Sequence, residues 1–115
     1  MHVTNPIALP SGHVRTRRPI RPPRPGRAAD AFDVTVSELV AQIVKHEPGT
    51  LVYSTHRVAD APLSRLFYEV YRDREAFEEH ERQPHTRAFL DNRNEYVASA
   101  RVEFLNDGPA KGLPA

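Results

Sequence analysis

The chain has 115 residues, a formal net charge of +1 and no cysteine, which suits one domain of modest stability and excludes disulfides, thiolate catalysis and cysteine-ligated zinc or iron–sulfur centres. No apolar run approaches the roughly 18 residues of a membrane helix and the start lacks the order of a signal peptide, so a cytoplasmic protein with no membrane partner is expected. The charge is uneven: residues 1–29 hold Arg15, Arg17, Arg18, Arg21, Arg24 and Arg27 and no acid, leaving ten bases against fifteen acids in the remainder.

Residues 1–24 form a Pro/Arg-rich segment. The first 26 residues hold Pro6, Pro10, Pro19, Pro22, Pro23 and Pro25, which remove backbone donors and bias the segment towards extended or polyproline II backbone. Its arginines have no interleaved aromatics to stack on bases, so a solvated or partner-draped tail is expected and nucleic acid is not an expected partner.

From Ala28 the apolar residues Phe32, Val36, Leu39, Val40 and Ile43 fall on one helical stripe, which Pro48-Gly49 ends. The Val/Thr/Tyr-rich run over residues 50–58 predicts a strand, residues 59–64 with Asp60 and Pro62 the turn, and residues 64–71 a second strand of a hairpin. Asp73 is placed to cap a short helix over residues 74–81. Pro84 breaks it, and a further helix starts near His85 or Thr86 and carries Phe89, with Tyr96 and Val97 on its face. Residues 98–105 alternate as a closing strand, and residues 107–115 form a tail. With an early strand added, the order is βαββαβ: an α+β, ferredoxin-like split βαβ with an antiparallel sheet and helices on one face. The bare sheet face calls for a partner, and a homodimer is expected.

The segments Pro25-Gly26-Arg27-Ala28-Ala29-Asp30-Ala31-Phe32, Glu47-Pro48-Gly49-Thr50-Leu51-Val52-Tyr53 and Phe67-Tyr68-Glu69-Val70-Tyr71-Arg72-Asp73-Arg74-Glu75-Ala76-Phe77, with His80, Pro84-His85 and Phe89, resemble the antibiotic biosynthesis monooxygenase family over residues 25–106. The resemblance implies a dimeric α+β barrel with a pocket between helices and sheet. Members include cofactor-free monooxygenases that oxidise hydroquinones or polyketide-like aromatics with molecular oxygen, and haem-degrading relatives. In the cofactor-free reaction the electron-rich substrate is the reductant, and the protein deprotonates it and excludes water. The sequence departs from the family in two places. The first strand, expected within residues 13–24, is interrupted by Pro19, Pro22 and Pro23, and a pocket asparagine on it has no match because Asn5 lies upstream. Tyr71 stands where many relatives have tryptophan.

The expected function is therefore a cofactor-independent monooxygenase whose partners are a small aromatic substrate and molecular oxygen. A non-catalytic ligand- or partner-binding barrel is the alternative, and a haem-degrading relative the third. The expected catalytic residues are His80 and His85, because an imidazole exchanges protons near neutral pH, and Tyr71, whose position lines the pocket in the resemblance. His80 is favoured, with a structural role open for each: His80 as a cation closing its helix, His85 capping the next. Their spacing is not that of a helical zinc pair, so neither metal nor cofactor is expected. Tyr53, His56, Phe67 and Phe89 are the expected substrate-binding residues. Tyr53 and His56 lie at odd separation and face opposite ways. An even-sum hairpin register puts Tyr53 with Phe67, Glu69 and Tyr71; an odd-sum register exchanges it with His56.

Overall fold

The computed structural model describes residues 2–8 and 27–112. The elements are β1 (His2–Ala8), α1 (Arg27–His46), β2 (Thr50–Val58), β3 (Ala61–Tyr71), α2 (Arg74–Arg82), α3 (Pro84–Asn92) with a single 3-10 turn (Arg93–Glu95), β4 (Ser99–Ala100) and β5 (Glu103–Leu105). The sheet runs β2-β3-β1-β4, with β5 also paired to β1, and its ladders are antiparallel. This is the ferredoxin-like α+β arrangement expected from the pattern of elements.

The stripe on α1 buries Phe32, Val36, Leu39 and Ile43 against Phe67 of β3, Phe89 of α3 and Val97 beyond it. Rings of Phe32, Phe67 and Phe89 meet pairwise with centroids 6.0 to 6.3 Å apart, so aromatic side chains fill the centre of the helix–sheet interface. Burying each such ring contributes about 1.5–3 kcal/mol.

In the hairpin Tyr53 stands opposite Glu69, Thr55 opposite Phe67 and His56 opposite Leu66, the even-sum register. Tyr53 therefore shares the helix-side face with Phe67, Glu69 and Tyr71, and His56 takes the other. The turn is shorter than predicted: Ala59 and Asp60 alone make it, and β3 begins at Ala61. Pro62 is accommodated because the ladder slips between Arg57↔Arg65 and Val58↔Ala61, and a residue inside a bulge owes the ladder no N–H.

Two expectations on the outer strands change. The span 13–24 lies outside the described residues, and the strand between β3 and the closing strands is His2–Ala8, which places Asn5 opposite Phe67 on that strand. Asn5 is thus not too far upstream to belong to the sheet. The closing strand is split. Thr4 pairs with Glu103 and Ile7 with Ala100, so one register runs through both pieces and the gap at Arg101-Val102 falls opposite Asn5-Pro6. Proline has no N–H to donate there.

Asp73 caps α2 as expected, its Oδ1 accepting the Ala76 N–H at 2.8 Å. Gln83, extended at ψ 140°, separates α2 from α3, and Pro84 occupies the first turn of α3, as the steric exclusion of helical backbone before proline requires.

Candidate active site

Glu47 follows the last residue of α1, its N–H donating to Ile43 O at 3.0 Å and its carbonyl accepting from Thr50 N at 3.1 Å. A carboxylate at a helix C-terminus opposes the helix dipole, and this one is also taken out of water, with a side chain only 2% exposed. Its partners explain how it is tolerated. Oε1 accepts from Thr50 Oγ1 at 2.8 Å and lies 2.6 Å from His80 Nδ1; Oε2 is hydrogen-bonded to His85 Nε2. Burial pushes this carboxyl up, but the bonds from His80 and His85, the charge of His80 and the Thr50 hydroxyl outweigh it and hold the group below its ordinary value of 4.5. An ionised carboxylate only accepts, so both ring nitrogens that face it carry hydrogen. When the rings are neutral, His80 Nε2 and His85 Nδ1 are left with lone pairs.

The backbone brings these groups together through a close approach. A Cβ on Gly49 would stand 2.7 Å from the Ala76 Cβ, so only glycine lets the α1–β2 connection lie against α2. The contact is locked by the Arg72 N–H on Gly49 O at 2.9 Å.

The His80 ring lies 5.6 Å from the Tyr53 ring and 5.3 Å from the Tyr71 ring. Tyr71 donates its hydroxyl to Glu69 Oε1 at 2.6 Å. Burial, then the negative charge of Glu69, pushes both phenols well above 10.0. They are hydrogen-bond donors at any physiological pH and not bases.

Cavities touch the cluster at both histidines. One of about 130 Å³ is bordered by Glu47, Gly49, Thr50, Arg72, Ala76 and His80. The other, about 460 Å³ between α1 and α3, is bordered by Leu39, Gln42, His85, Ala88, Phe89 and Asn92, and the ring of His46 stacks on His85 at 6.1 Å. Among the described residues no group of three or more His, Asp or Glu is placed to hold a metal ion.

The structure thus unites His80, His85, Tyr53 and Tyr71. His56 is separated from them, bonded to Ser54 Oγ at 2.9 Å. Phe67 and Phe89 lie in the core, Phe89 also bordering the larger cavity. The place of His80 in the last turn of α2 agrees with the helix-closing alternative, although its ring turns to Glu47; His85 lies inside α3, whose N-cap position is Gln83 with no side-chain cap hydrogen bond. Glu47, Thr50 and Glu69 were not singled out from the sequence. The one signal for Glu47 is an acid placed where a helix end favours cations, immediately before Pro-Gly.

Fold and cluster together define a ferredoxin-like protein with a buried carboxylate between two imidazoles. Residues 20–92 match the family model of the antibiotic biosynthesis monooxygenases, and the chain belongs to that family. Solved structures of the same fold include a Bacteroides thetaiotaomicron protein provisionally named as such a monooxygenase (17% identity, TM-score 0.75, covering 100% of this chain and 94% of that one). A Pseudomonas aeruginosa protein matches at 20% identity and TM-score 0.73, covering 94% and 93%. A Caulobacter crescentus protein, also provisionally named an antibiotic biosynthesis monooxygenase, matches at 18% and 0.70, covering 94% and 89%. No curated protein matches the chain.

Proposed function

We propose that the protein is a cofactor-independent monooxygenase acting on a phenolic aromatic such as a hydroquinone or a polyketide-like ring, and that it works as a homodimer. The observation that carries the reading is the buried Glu47 held by His80 and His85, with His85 bordering a cavity whose volume, about 460 Å³, lies in the range of small-molecule sites. His85 is the base: with Nε2–H fixed on Glu47, Nδ1 takes the phenolic proton, and Glu47 stabilises the imidazolium that results. The sequence favours His80 for this part, but its ring is packed between two tyrosines and borders the smaller cavity. Tyr53 and Tyr71 hold His80 in place as protonated phenols.

For a hydroquinone the balance closes without an outside reductant. The phenolate gives four electrons to dioxygen; one oxygen atom becomes the new hydroxyl of a hydroxyquinone and the other leaves as water. Leu39, Ala88 and Phe89 supply the apolar part of the lining for the ring, beside Thr35, Glu38, Gln42 and Asn92. An oxygen electrode with a panel of hydroquinones and anthrones, no flavin or metal added, tests this. Uptake is expected, falling about 10²–10⁴-fold in His85→Ala at unchanged fold; no uptake across the panel by intact protein sinks it.

The alternative, a barrel that binds an aromatic without oxidising it, draws on the filling of the central helix–sheet space by Phe32, Phe67 and Phe89. Saturable binding of the same hydroquinones without oxygen uptake selects it.

A further inference from the structure

At the β2 edge Arg57 stands opposite Arg65 in the ladder, on the helix-side face that Thr55 and Phe67 share. Like charges directly opposed across a sheet repel. Asp33 of α1 answers only half of the charge. Arg65, 5% exposed, binds it through Nε–Oδ1 at 2.9 Å and Nη2–Oδ2 at 3.1 Å, and gives Nη1 to Pro62 O at 2.8 Å and Ser64 O at 2.9 Å. That pair is already neutral and satisfied. Arg57 adds a second guanidinium to the same Asp33 oxygen, at 3.0 Å and 73% exposed. Its Nε and Nη1 donors meet no partner among the described residues.

These groups rim a cavity of about 300 Å³ whose other walls include Phe32, Val36, Val40 and Phe67. It shares no lining residue with the cavity bordered by His85. Two guanidiniums against one carboxylate leave a positive rim above an apolar floor. We propose that this cavity binds a monocarboxylate with an apolar body: the carboxylate on the free donors of Arg57, the body over Phe32, Val36, Val40 and Phe67. A guanidinium with adjacent free N–H groups suits a carboxylate's two oxygens; Phe32, Val36 and Phe67 are already only 1%, 5% and 1% exposed, so the apolar gain comes from the ligand's own chain leaving water against Val40 and that floor. An inorganic anion would gain only the first contribution and a neutral alcohol only the second.

The test is an amide NMR titration of the full chain with octanoate, and with octanol and acetate as controls. Octanoate is expected to saturate and to shift the amides of Thr55, Arg57 and Val36; acetate and octanol are expected to bind at least about tenfold more weakly, as the loss of one charge-assisted pair or of the apolar body predicts. Arg57→Gln, at an exposed position, is expected to weaken octanoate about tenfold with its spectrum otherwise preserved. Equal affinity for octanol and octanoate, an unchanged affinity in Arg57→Gln, or shifts centred on His85 and Phe89 would each overturn the proposal. Because the readout is binding, it is independent of whether oxygen uptake is found.

Discussion

Glu47 carries a negative charge out of water at the unfavourable end of a helix, and the two imidazoles and Thr50 are what make that state the stable one. Its carboxyl sits below 4.5 in the folded protein, so the unfolded chain binds the proton more readily. The stability this group contributes is complete above that value and is lost as pH falls through the lower, native one. Urea unfolding measured from neutral pH downwards should show that loss, and Glu47→Gln should flatten it. At neutral pH the same variant should cost about 1–3 kcal/mol, the penalty for buried donors left with a poorer acceptor. The tyrosines set the opposite limit. Tyr53 and Tyr71 are raised in the fold, so stability holds up to about pH 10, the ordinary tyrosine range, and falls as the pH rises beyond it, where only the unfolded chain can ionise them. Tyr71→Phe should lessen that alkaline slope in the same measurement.

At the scale of elements, the meeting of the α1–β2 connection with α2 depends on the absent side chain of Gly49. Gly49→Ala should cost about 1–3 kcal/mol, because the backbone must shift to relieve the overlap, and calorimetry would register it as a lowered Tm. Phe32→Ala should cost about 3–5 kcal/mol, since three rings meet there. Most elements were legible in the sequence for plain reasons. The α1 stripe has a helical period, the β2 run is rich in residues that fit a pleated surface, and Asp73 is an N-cap whose partner is only three residues away. The misses also have physical causes. Pro62 reads as a turn residue, but a bulge admits it to β3. The strand His2–Ala8 contains Pro6 and shows no clean alternation, and its neighbours are more than fifty residues away, at 64–70 and 99–105. The candidate site was half legible: both histidines and both tyrosines stand out by type, whereas Glu47 becomes significant only through partners 33 and 38 residues distant.

At the scale of the molecule, β1 lies between β3 on one side and β4 and β5 on the other. A fragment of residues 25–106, the span of the family resemblance, lacks that strand and would expose two unpaired sheet edges. It should fail to give a cooperative unfolding transition, whereas the full chain gives one; circular dichroism on the two proteins decides it. The sheet face away from the helices, with Leu66 and Tyr68 half-exposed and Val58 and Leu105 exposed, is the surface expected to pair two copies. Sedimentation should give twice the 13.0 kDa chain mass.

The contacts of Glu47 also fix how the molecule opens. One side chain at the end of α1 reaches Thr50 at the start of β2, His80 on α2 and His85 on α3. Because α2 and α3 are joined through Gln83 and share this anchor, they form a unit that can lift from the α1–β2–β3 body together. Amide hydrogen exchange should then report a common opening free energy for α2 and α3, below that of the hairpin strands. In Glu47→Gln that shared value should drop while the strands stay protected, so the charge on one buried carboxylate would set how readily α2 and α3 open together to solvent.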